Sequence, residues 1–233
     1  MTVGVLGGTF DPIHCGHVGA AVAAERALSL KSVVLMPSSL PPHRAEQVRV
    51  GAMHRLAMTT LAAADHPSWS VSEIELKRDG PSYTFDTLTE MLQRGHPASQ
   101  VFFITGADAF AEIATWSRYP AVLDLAHFAV VARPGITLDS LQKRLPDLAE
   151  RMTTPASFKS PTSAKASVGQ PASSPTPDER TRIILIEAAT PDISSTGIRQ
   201  RLRAGESIAG LVPEFVATYI AHHHLYSEVG TNL

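Results

Sequence analysis

Two histidines near the start of the chain, His14 and His17, are the first residues whose types and spacing could do chemistry. They follow a short apolar run at 3–6 and a turn with two glycines at 7–13, and they precede an alanine-rich segment at 18–30. This order predicts a strand, a turn and a helix whose N-terminus presents backbone N–H groups and a partial positive charge. Imidazoles on that helix face, neutral or protonated, can donate hydrogen bonds to phosphate oxygens. A metal-binding pair or ordinary surface histidines are the alternatives, which the position directly after the first strand and turn disfavours.

A second group of residues that could bind an anion lies near the other end of the chain. Three consecutive hydroxyl residues, Ser194, Ser195 and Thr196, precede Arg199. Hydroxyls at a helix start can cap the helix and leave backbone N–H groups free, and the arginine can reach back over the first turn. The two kinds of donor together predict a phosphate site. A well-capped helix with a solvated arginine is the alternative.

Single residues that could contact a ligand follow other predicted strands, at the edge where doubly wound sheets bind ligands. Asp108 follows a strand after the short stretch Gly106–Ala107 and could bind a ribose hydroxyl or a base edge, cap the next helix, or do both. Trp116 could close the core or offer a flat face to an aromatic ring. Arg133 ends another strand and is placed to bind an anion, and Arg44 ends a proline-rich loop at 37–44 that is either a ligand loop or a solvated one.

The elements that must position these residues alternate between short apolar runs and amphipathic segments. Strands are predicted at 3–6, 32–36, 69–76, 101–105, 128–132 and 182–187. Helices are predicted at 18–30, 50–64, 84–93, 108–113, 138–151, 198–204 and 213–222. The pattern indicates an α/β fold, a Rossmann-like doubly wound parallel sheet of about five to six strands with a C-terminal helical segment.

Local details complete this picture of one domain over residues 1–233. The spacing of Met53, Leu56 and Leu61 predicts the buried face of the helix at 50–64, and Ser82 is predicted to cap the helix at 84–93. Residues 153–180 are rich in serine, threonine and proline without a hydrophobic period, which predicts a disordered or loosely attached insertion.

Composition excludes several classes of protein. The 20 lysines and arginines are balanced by 22 acidic residues without a basic run, which argues against a nucleic-acid partner. The single cysteine, Cys15, excludes an intrachain disulfide framework and is better explained as a small residue in the turn than as a nucleophile. No apolar stretch has the length of a membrane span. We therefore expect a cytoplasmic protein without a membrane partner, and the sequence leaves a homo-oligomer open.

The two anion motifs together resemble those of the nucleotidylyltransferase superfamily. The opening stretch Gly-Gly-Thr-Phe-Asp-Pro-Ile-His-x-Gly-His and the closing stretch Ile-Ser-Ser-Thr-x-Ile-Arg carry the likeness. The stretches Ser-Tyr-Thr-Phe-Asp-Thr-Leu at 82–88, Gly-Ala-Asp at 106–108 and Ala-Arg-Pro-Gly at 132–135, with Trp116, resemble the bacterial nicotinate mononucleotide adenylyltransferases within it. The resemblance covers nearly the whole chain except 153–180.

The resemblance implies a role for each matching residue. It implies an ATP site formed by backbone and side chains of Gly7, Gly8, Thr9, Phe10, His14, His17, Asp108, Ser195, Thr196 and Arg199. Of these, His14, His17 and Arg199 would be catalytic through the phosphates. It implies substrate contacts from Arg44, Thr84, Trp116 and Arg133, with Thr84 and Trp116 on the nicotinate ring and its carboxylate. Arg44 stands where relatives usually have a lysine, which keeps the cation and changes its geometry.

The implied reaction transfers the AMP moiety of ATP to nicotinate mononucleotide and releases pyrophosphate. The attacking phosphate is already an anion, so neither a general base nor a covalent intermediate is expected, and Mg²⁺ would be held by the phosphates and water rather than by a protein metal site. Another nucleotidylyltransferase, such as one acting on phosphopantetheine, and a non-catalytic nucleotide sensor are the alternatives. A dinucleotide-binding oxidoreductase is disfavoured because the Gly-x-Gly-x-x-Gly spacing is absent.

Overall fold

A parallel sheet forms the centre of the molecule. The computed structural model describes residues 1–39, 48–132, 136–158 and 180–227. In these residues the strands are β1 Val3–Gly8, β2 Ser32–Pro37, β3 Trp69–Val71, β4 Val101–Gly106, β5 His127–Ala132, β6 Met152–Thr153 and β7 Ile183–Glu187. They pair in the order β3-β2-β1-β4-β5-β7-β6, and every pair is parallel. The predicted fold class is confirmed, with seven strands instead of five to six.

Helices cover both faces of the sheet. In the described residues they are α1 Cys15–Leu28, α2 Ala52–Ala63, α3 Thr84–Gln93, α4 Ala107–Phe110, α5 Leu138–Arg144, α6 Ser195–Arg203 and α7 Glu214–His222. Strand side chains alternate between two cores: in β7, Ile184 and Ile186 face one core, whereas Ile183 and Leu185 face the other. Helices α1, α2, α6 and α7 pack on the first core, and α3, α4 and α5 pack on the second.

The strand order reverses at β1, which places a crevice at the edge where the strands end. Strand β1 pairs with β2 on one side and with β4 on the other, so the chain leaves the two central strands toward opposite faces. Ligands of doubly wound sheets bind at such a reversal, outside the carboxyl ends of the strands. The loop after β1 and the loop after β4 therefore form the two walls of the candidate site.

Three predicted elements end three or more residues early, among them α4, which ends at Phe110 where the prediction extended it to 113. Strand β3 ends at Val71, and residues 73–78 form turns where the prediction extended the strand to 76. Helix α5 ends at Arg144, where the prediction extended it to 151, and a short 3₁₀ segment follows at Pro146–Arg151. Pro146 lacks the amide hydrogen that a continuing helix needs, so the helix stops just before it.

The first residues of the predicted insertion pack on the sheet. Thr153 pairs with Ile184. The ring of Phe158 meets the ring of Phe102 with 5.8 Å between centroids and that of His127 with 5.0 Å. Residues 153–158 therefore belong to the folded part of the chain, with Phe158 packed against the core, and 159–179 lie outside the described residues.

Candidate active site

His14 and His17 cap the N-terminus of α1 reciprocally. The Nδ1 atom of each ring accepts a hydrogen bond from the backbone N–H of the other residue, with both N···N distances at 3.3 Å. The rings stack with 3.7 Å between their centroids. Because His14 is the N-cap, α1 begins at Cys15, three residues before its predicted start at 18.

This capping also determines where the histidines carry a proton. Since Nδ1 of both rings accepts, each neutral imidazole carries its proton on Nε2. Burial lowers the pKa of His14 to about 4, and burial together with the neighbouring His14 lowers the pKa of His17 well below its ordinary value. At neutral pH both rings are therefore uncharged and keep an Nε2–H donor for the cavity that they line.

The loop between β1 and α1 holds these rings rigidly. Phe10 adopts a positive φ of 51° and is 1% exposed, and its ring contacts the edge of His17 with 5.1 Å between centroids. A Cβ at Gly8 would lie 2.7 Å from the Phe10 ring, so only glycine fits there. The side chain of Phe10 thus belongs to the core and orients His17.

The second anion motif is bonded directly to this loop. Ser195 donates from Oγ to the carbonyl of Pro12 at 3.0 Å, and Arg199 donates from Nη1 to the carbonyl of Asp11 at 2.7 Å. The other guanidinium nitrogen of Arg199 donates to Thr196 Oγ1 at 3.1 Å. Ser194 is the N-cap of α6, so this helix begins before its predicted start at 198. The predicted alternative of a solvated arginine is wrong, because Arg199 is only 8% exposed.

Asp11 anchors the loop from behind. Its Oδ1 accepts from the Tyr226 hydroxyl at 2.7 Å, and its Oδ2 accepts from the Arg49 backbone N–H at 2.7 Å. The guanidinium of Arg199 lies 4.0 Å from Oδ2. Asp11 is 2% exposed, so these groups replace water around the carboxylate. These roles of Asp11 and Tyr226 were not predicted from the sequence.

Arg55 is a second buried anchor that the sequence analysis missed. It donates from Nη1 to the carbonyls of Thr9 at 2.8 Å and Ser38 at 2.6 Å, and from Nη2 to that of Ser39 at 3.2 Å. The predicted face of α2 is wrong: Met53 is 73% exposed, and Arg55 faces the core. A signal existed, because Arg55 is in helical phase with Met58, Thr59 and Ala62.

Two adjacent cavities open at the carboxyl edge of the sheet. The larger, of about 750 Å³, lies between the histidines and the start of α6, and the smaller, of about 420 Å³, lies between β1 and the start of α3. Their shared lining residues are Thr9, His17, Gly106, Ala109, Trp116 and Ser195. Two ligands bound in these cavities would therefore meet beside His17.

The structure places the remaining predicted residues as follows. Asp108 is exposed and lines the larger cavity in the first turn of α4, whose N-cap is Gly106, so Asp108 is not the helix cap. Thr84 lines the smaller cavity, and Trp116 lines both while its inner edge packs on Phe103. Arg44 and Arg133 lie outside the described residues.

The helix at Thr84 leaves donors available for a ligand. Tyr83 is its N-cap and provides no side-chain hydrogen bond to the helix. The predicted cap, Ser82, instead accepts from the Ser39 N–H at 3.1 Å. Backbone N–H groups of an uncapped first turn need an external partner, and a carboxylate is a suitable one.

The described residues contain neither a candidate metal cluster nor a helix that could span a membrane. In 1–39, 48–132, 136–158 and 180–227, no group of three His, Cys, Asp or Glu residues could hold a metal ion. Over the same part of the chain, no helix combines the length and apolarity that crossing a membrane requires.

The fold and the two joined cavities define a nucleotide-binding α/β transferase. A family model supports this class, since the model described as Cytidylyltransferase-like matches residues 5–201. The chain belongs to this family.

Relatives of similar length are nicotinate-nucleotide adenylyltransferases by name. A Roseiflexus protein named "Probable nicotinate-nucleotide adenylyltransferase" is 39% identical over 96% of this chain and 97% of its own length. Proteins of the same name from Moorella thermoacetica and Shewanella frigidimarina are 38% and 36% identical, over 96% and 97% of this chain and 91% and 100% of their own lengths. The resemblance stated from the motifs is confirmed.

A solved structure shares the fold. The Plasmodium falciparum nicotinic acid mononucleotide adenylyltransferase complexed with NaAD superposes with a TM-score of 0.65 at 16% identity, covering 97% of each chain. At this identity the likeness supports the fold alone.

Proposed function

We propose that this protein transfers the AMP moiety of ATP to nicotinate mononucleotide, giving nicotinate adenine dinucleotide and pyrophosphate in NAD biosynthesis. The observation that carries the proposal is the pair of cavities that share His17 and Trp116. ATP fits the larger cavity, which the two anion motifs line, and nicotinate mononucleotide fits the smaller one. The phosphate of the mononucleotide then meets the α-phosphorus of ATP beside His17.

Catalysis in this site is positioning and charge stabilisation. The attacking phosphate is an anion and needs no base to activate it, and pyrophosphate leaves with the electron pair of the broken bond. The Nε2–H groups of His14 and His17 hydrogen-bond the phosphates, and the side chains of α6 approach from the opposite wall. Donors already fixed in the free protein stabilise charge that builds in the transition state without further reorganisation.

Neutral donors suit a substrate that brings its own cation. The larger cavity is lined by hydroxyls, by the two imidazoles and by the Arg199 guanidinium, which are partners for phosphate oxygens, and also by the carboxylates of Asp11, Asp108 and Glu112. We propose that a divalent ion such as Mg²⁺ enters as part of the ATP complex, with phosphate and water as its ligands. Its chemistry would be to neutralise the leaving pyrophosphate.

The smaller cavity offers donors for an acid rather than an amide. The first turn of α3 and the Thr84 hydroxyl present N–H and O–H groups, whereas the NH₂ of nicotinamide would meet an N–H and leave both groups unpaired. We expect Trp116 to stack on the pyridinium ring, which acid and amide substrates share. Arg44 and Arg133 remain predicted substrate contacts.

We extend the proposal to the organisation of the protein. All strands of the described residues belong to one sheet, which supports a single domain with an insertion after Phe158. We expect the enzyme in the cytoplasm, where ATP is available, acting on small molecules without a nucleic-acid or membrane partner.

Pyrophosphate release tests the function directly. Purified protein is mixed with ATP, Mg²⁺ and one acceptor at a time: nicotinate mononucleotide, nicotinamide mononucleotide or phosphopantetheine. We expect release with the first at a kcat/KM at least about 100-fold above the second, from the cost of unpaired donors. Release with phosphopantetheine alone identifies another transferase of the family, and release with none of the three contradicts an enzymatic role on these acceptors.

A further inference from the structure

Glu75 is a buried carboxylate in the smaller cavity that the mechanism does not use. It lies in the turns between β3 and α3, is 6% exposed, and lines the cavity beside Ser82 and Thr84. Burial raises the pKa of this carboxyl above its ordinary value. A buried acid in a cavity that binds an acidic substrate requires a reason.

The Glu75 carboxylate acts as the hydrogen-bond acceptor for the hydroxyl groups around it. Thr87 Oγ1 donates to Glu75 Oε1 at 2.7 Å and accepts from Arg78 Nη1 at 3.1 Å. The Ser82 hydroxyl oxygen accepts from the Ser39 N–H at 3.1 Å, and its hydroxyl is a second group that stabilises the ionised carboxylate and so, against the larger effect of burial, lowers the pKa of Glu75. Each hydroxyl has one proton, and an ionised carboxylate only accepts, so Glu75 forces both hydroxyls to point at it.

This arrangement joins three parts of the cavity wall. Ser39 belongs to the loop after β2, whereas Ser82 and Thr87 lie before and within the first turns of α3, on either side of Thr84. The carboxylate therefore fixes the start of α3 against the loop after β2. The carboxylate oxygens of Glu75 face protein hydroxyls, and Arg78 offsets the negative charge of Glu75. The same cavity can therefore also hold the carboxylate of the substrate.

We propose that Glu75 is a positioning residue for the mononucleotide, which aims the backbone N–H groups of the first turn of α3 and the Thr84 hydroxyl at the substrate carboxylate and so sets selectivity for the acid over the amide. The inference rests on the proposed function, whose smaller cavity it explains. Glu75 acts through Ser82 and Thr87 and does not touch the reacting atoms.

The test compares Glu75→Gln with Glu73→Gln, the same substitution in the same turn. Glu73 is exposed and pairs with Lys77 at 2.7 Å on the surface, so its loss should change little. In Glu75→Gln an amide NH₂ replaces one carboxylate oxygen, so a neighbouring hydroxyl loses the acceptor to which it donated. We expect kcat/KM for nicotinate mononucleotide to fall about 10-fold to 100-fold, mainly through KM, while KM for ATP stays within about twofold.

Selectivity and coupling separate positioning from general damage. We expect the ratio of kcat/KM for acid over amide to fall in Glu75→Gln, and the double variant with Ser82→Ala to lose little beyond Glu75→Gln alone. The inference would be overturned by equal losses of kcat/KM for ATP and for the mononucleotide, by additive losses of kcat/KM in the double variant, or by an unchanged ratio of kcat/KM for acid over amide. If Glu75→Gln does not fold, the same kinetic constants are measured for Thr87→Val, which removes the hydrogen bond from Thr87 to the Glu75 carboxylate.

The wild-type protein in the same assay distinguishes the two claims. Wild type without turnover on nicotinate mononucleotide overturns the proposed function and this inference together. Wild type with turnover, beside a Glu75→Gln variant whose constants match those of Glu73→Gln, overturns the positioning role alone.

Discussion

Replacing Tyr226 by phenylalanine removes one hydroxyl donor from the Asp11 carboxylate, which anchors the loop between β1 and α1. In the wild-type protein this hydroxyl donates to Asp11 Oδ1 at 2.7 Å, and Tyr226 and Asp11 are 7% and 2% exposed. Burial, and after it the neighbouring Asp11 carboxylate, raise the pKa of Tyr226, so the hydroxyl stays protonated and remains a donor at all ordinary pH values. The substitution keeps the ring and leaves one oxygen of a buried carboxylate without its donor.

The expected loss follows from the geometry of that bond. A hydrogen bond to a charged group contributes about 1.5–3 kcal/mol, and water cannot reach Asp11 to replace it. We therefore expect the free energy of unfolding to fall by about 2 kcal/mol, which lowers Tm by about 4–8 °C in a domain of this size. Because Asp11 also carries the carbonyl that binds Arg199, kcat should fall as well.

The measurement is denaturant unfolding of Tyr226→Phe beside Tyr219→Phe. The Tyr219 hydroxyl lies 3.0 Å from His54 Nδ1 on a partly exposed surface, where water can replace it, so its loss should cost less than about 1 kcal/mol. Equal losses in the two variants would refute the reasoning, because they would show that burial of Asp11 adds nothing.

The remaining predictions concern pH, catalysis and the insertion. The folded protein holds His14 and His127 neutral with pKa values of about 4, whereas the unfolded chain protonates them near 6.5. The free energy of unfolding should therefore have its full value above about pH 6.5 and should fall by up to about 3 kcal/mol per histidine towards pH 4. A His127→Asn variant whose stability depends on pH as steeply as that of the wild type would contradict this. His17→Ala should lower kcat about 10²–10³-fold with a small change in Tm, and near-normal turnover would exclude His17 from the mechanism. Trp116→Ala should raise KM for acid and amide mononucleotides alike, and a changed ratio between them would assign Trp116 a part in selectivity. Deleting residues 160–178 should leave Tm and kcat unchanged, since their composition cannot offset the entropy of ordering, and loss of folded protein on deletion would show that the segment packs on the core.

The sheet and its glycine turn were readable from the sequence because their signals are local. Five of the predicted strands lie within two residues of their observed ends, since continuous apolar runs between turn residues identify strands buried on both faces. The strand at 69–76 was the exception, because alternating apolar residues continue into turns that bury Glu75. The break at Pro146 was visible in the sequence and was overlooked.

The supports of the site could not be predicted, because each depends on residues distant in the chain. Asp11 is bonded by Tyr226, which lies 215 residues away, and Arg55 bonds carbonyls on two separate loops. Nothing in the local pattern around these residues identifies their partners. Glu75 likewise lies in a segment predicted as a strand, where its carboxylate would have been assigned to solvent.

In the proposed reaction, donors act on both sides of one phosphate chain, and the contact between the two far ends of the protein chain brings these donors together. The turn after β1 supplies one side through two neutral imidazoles, and α6 supplies the other through hydroxyls and Arg199. The bonds from Ser195 and Arg199 to the carbonyls of Pro12 and Asp11 fix the two sides relative to each other. Such fixed spacing is what preorganised stabilisation of a developing charge needs. The sequence motifs identify the donors, and the buried contacts of Asp11 determine the distance between them.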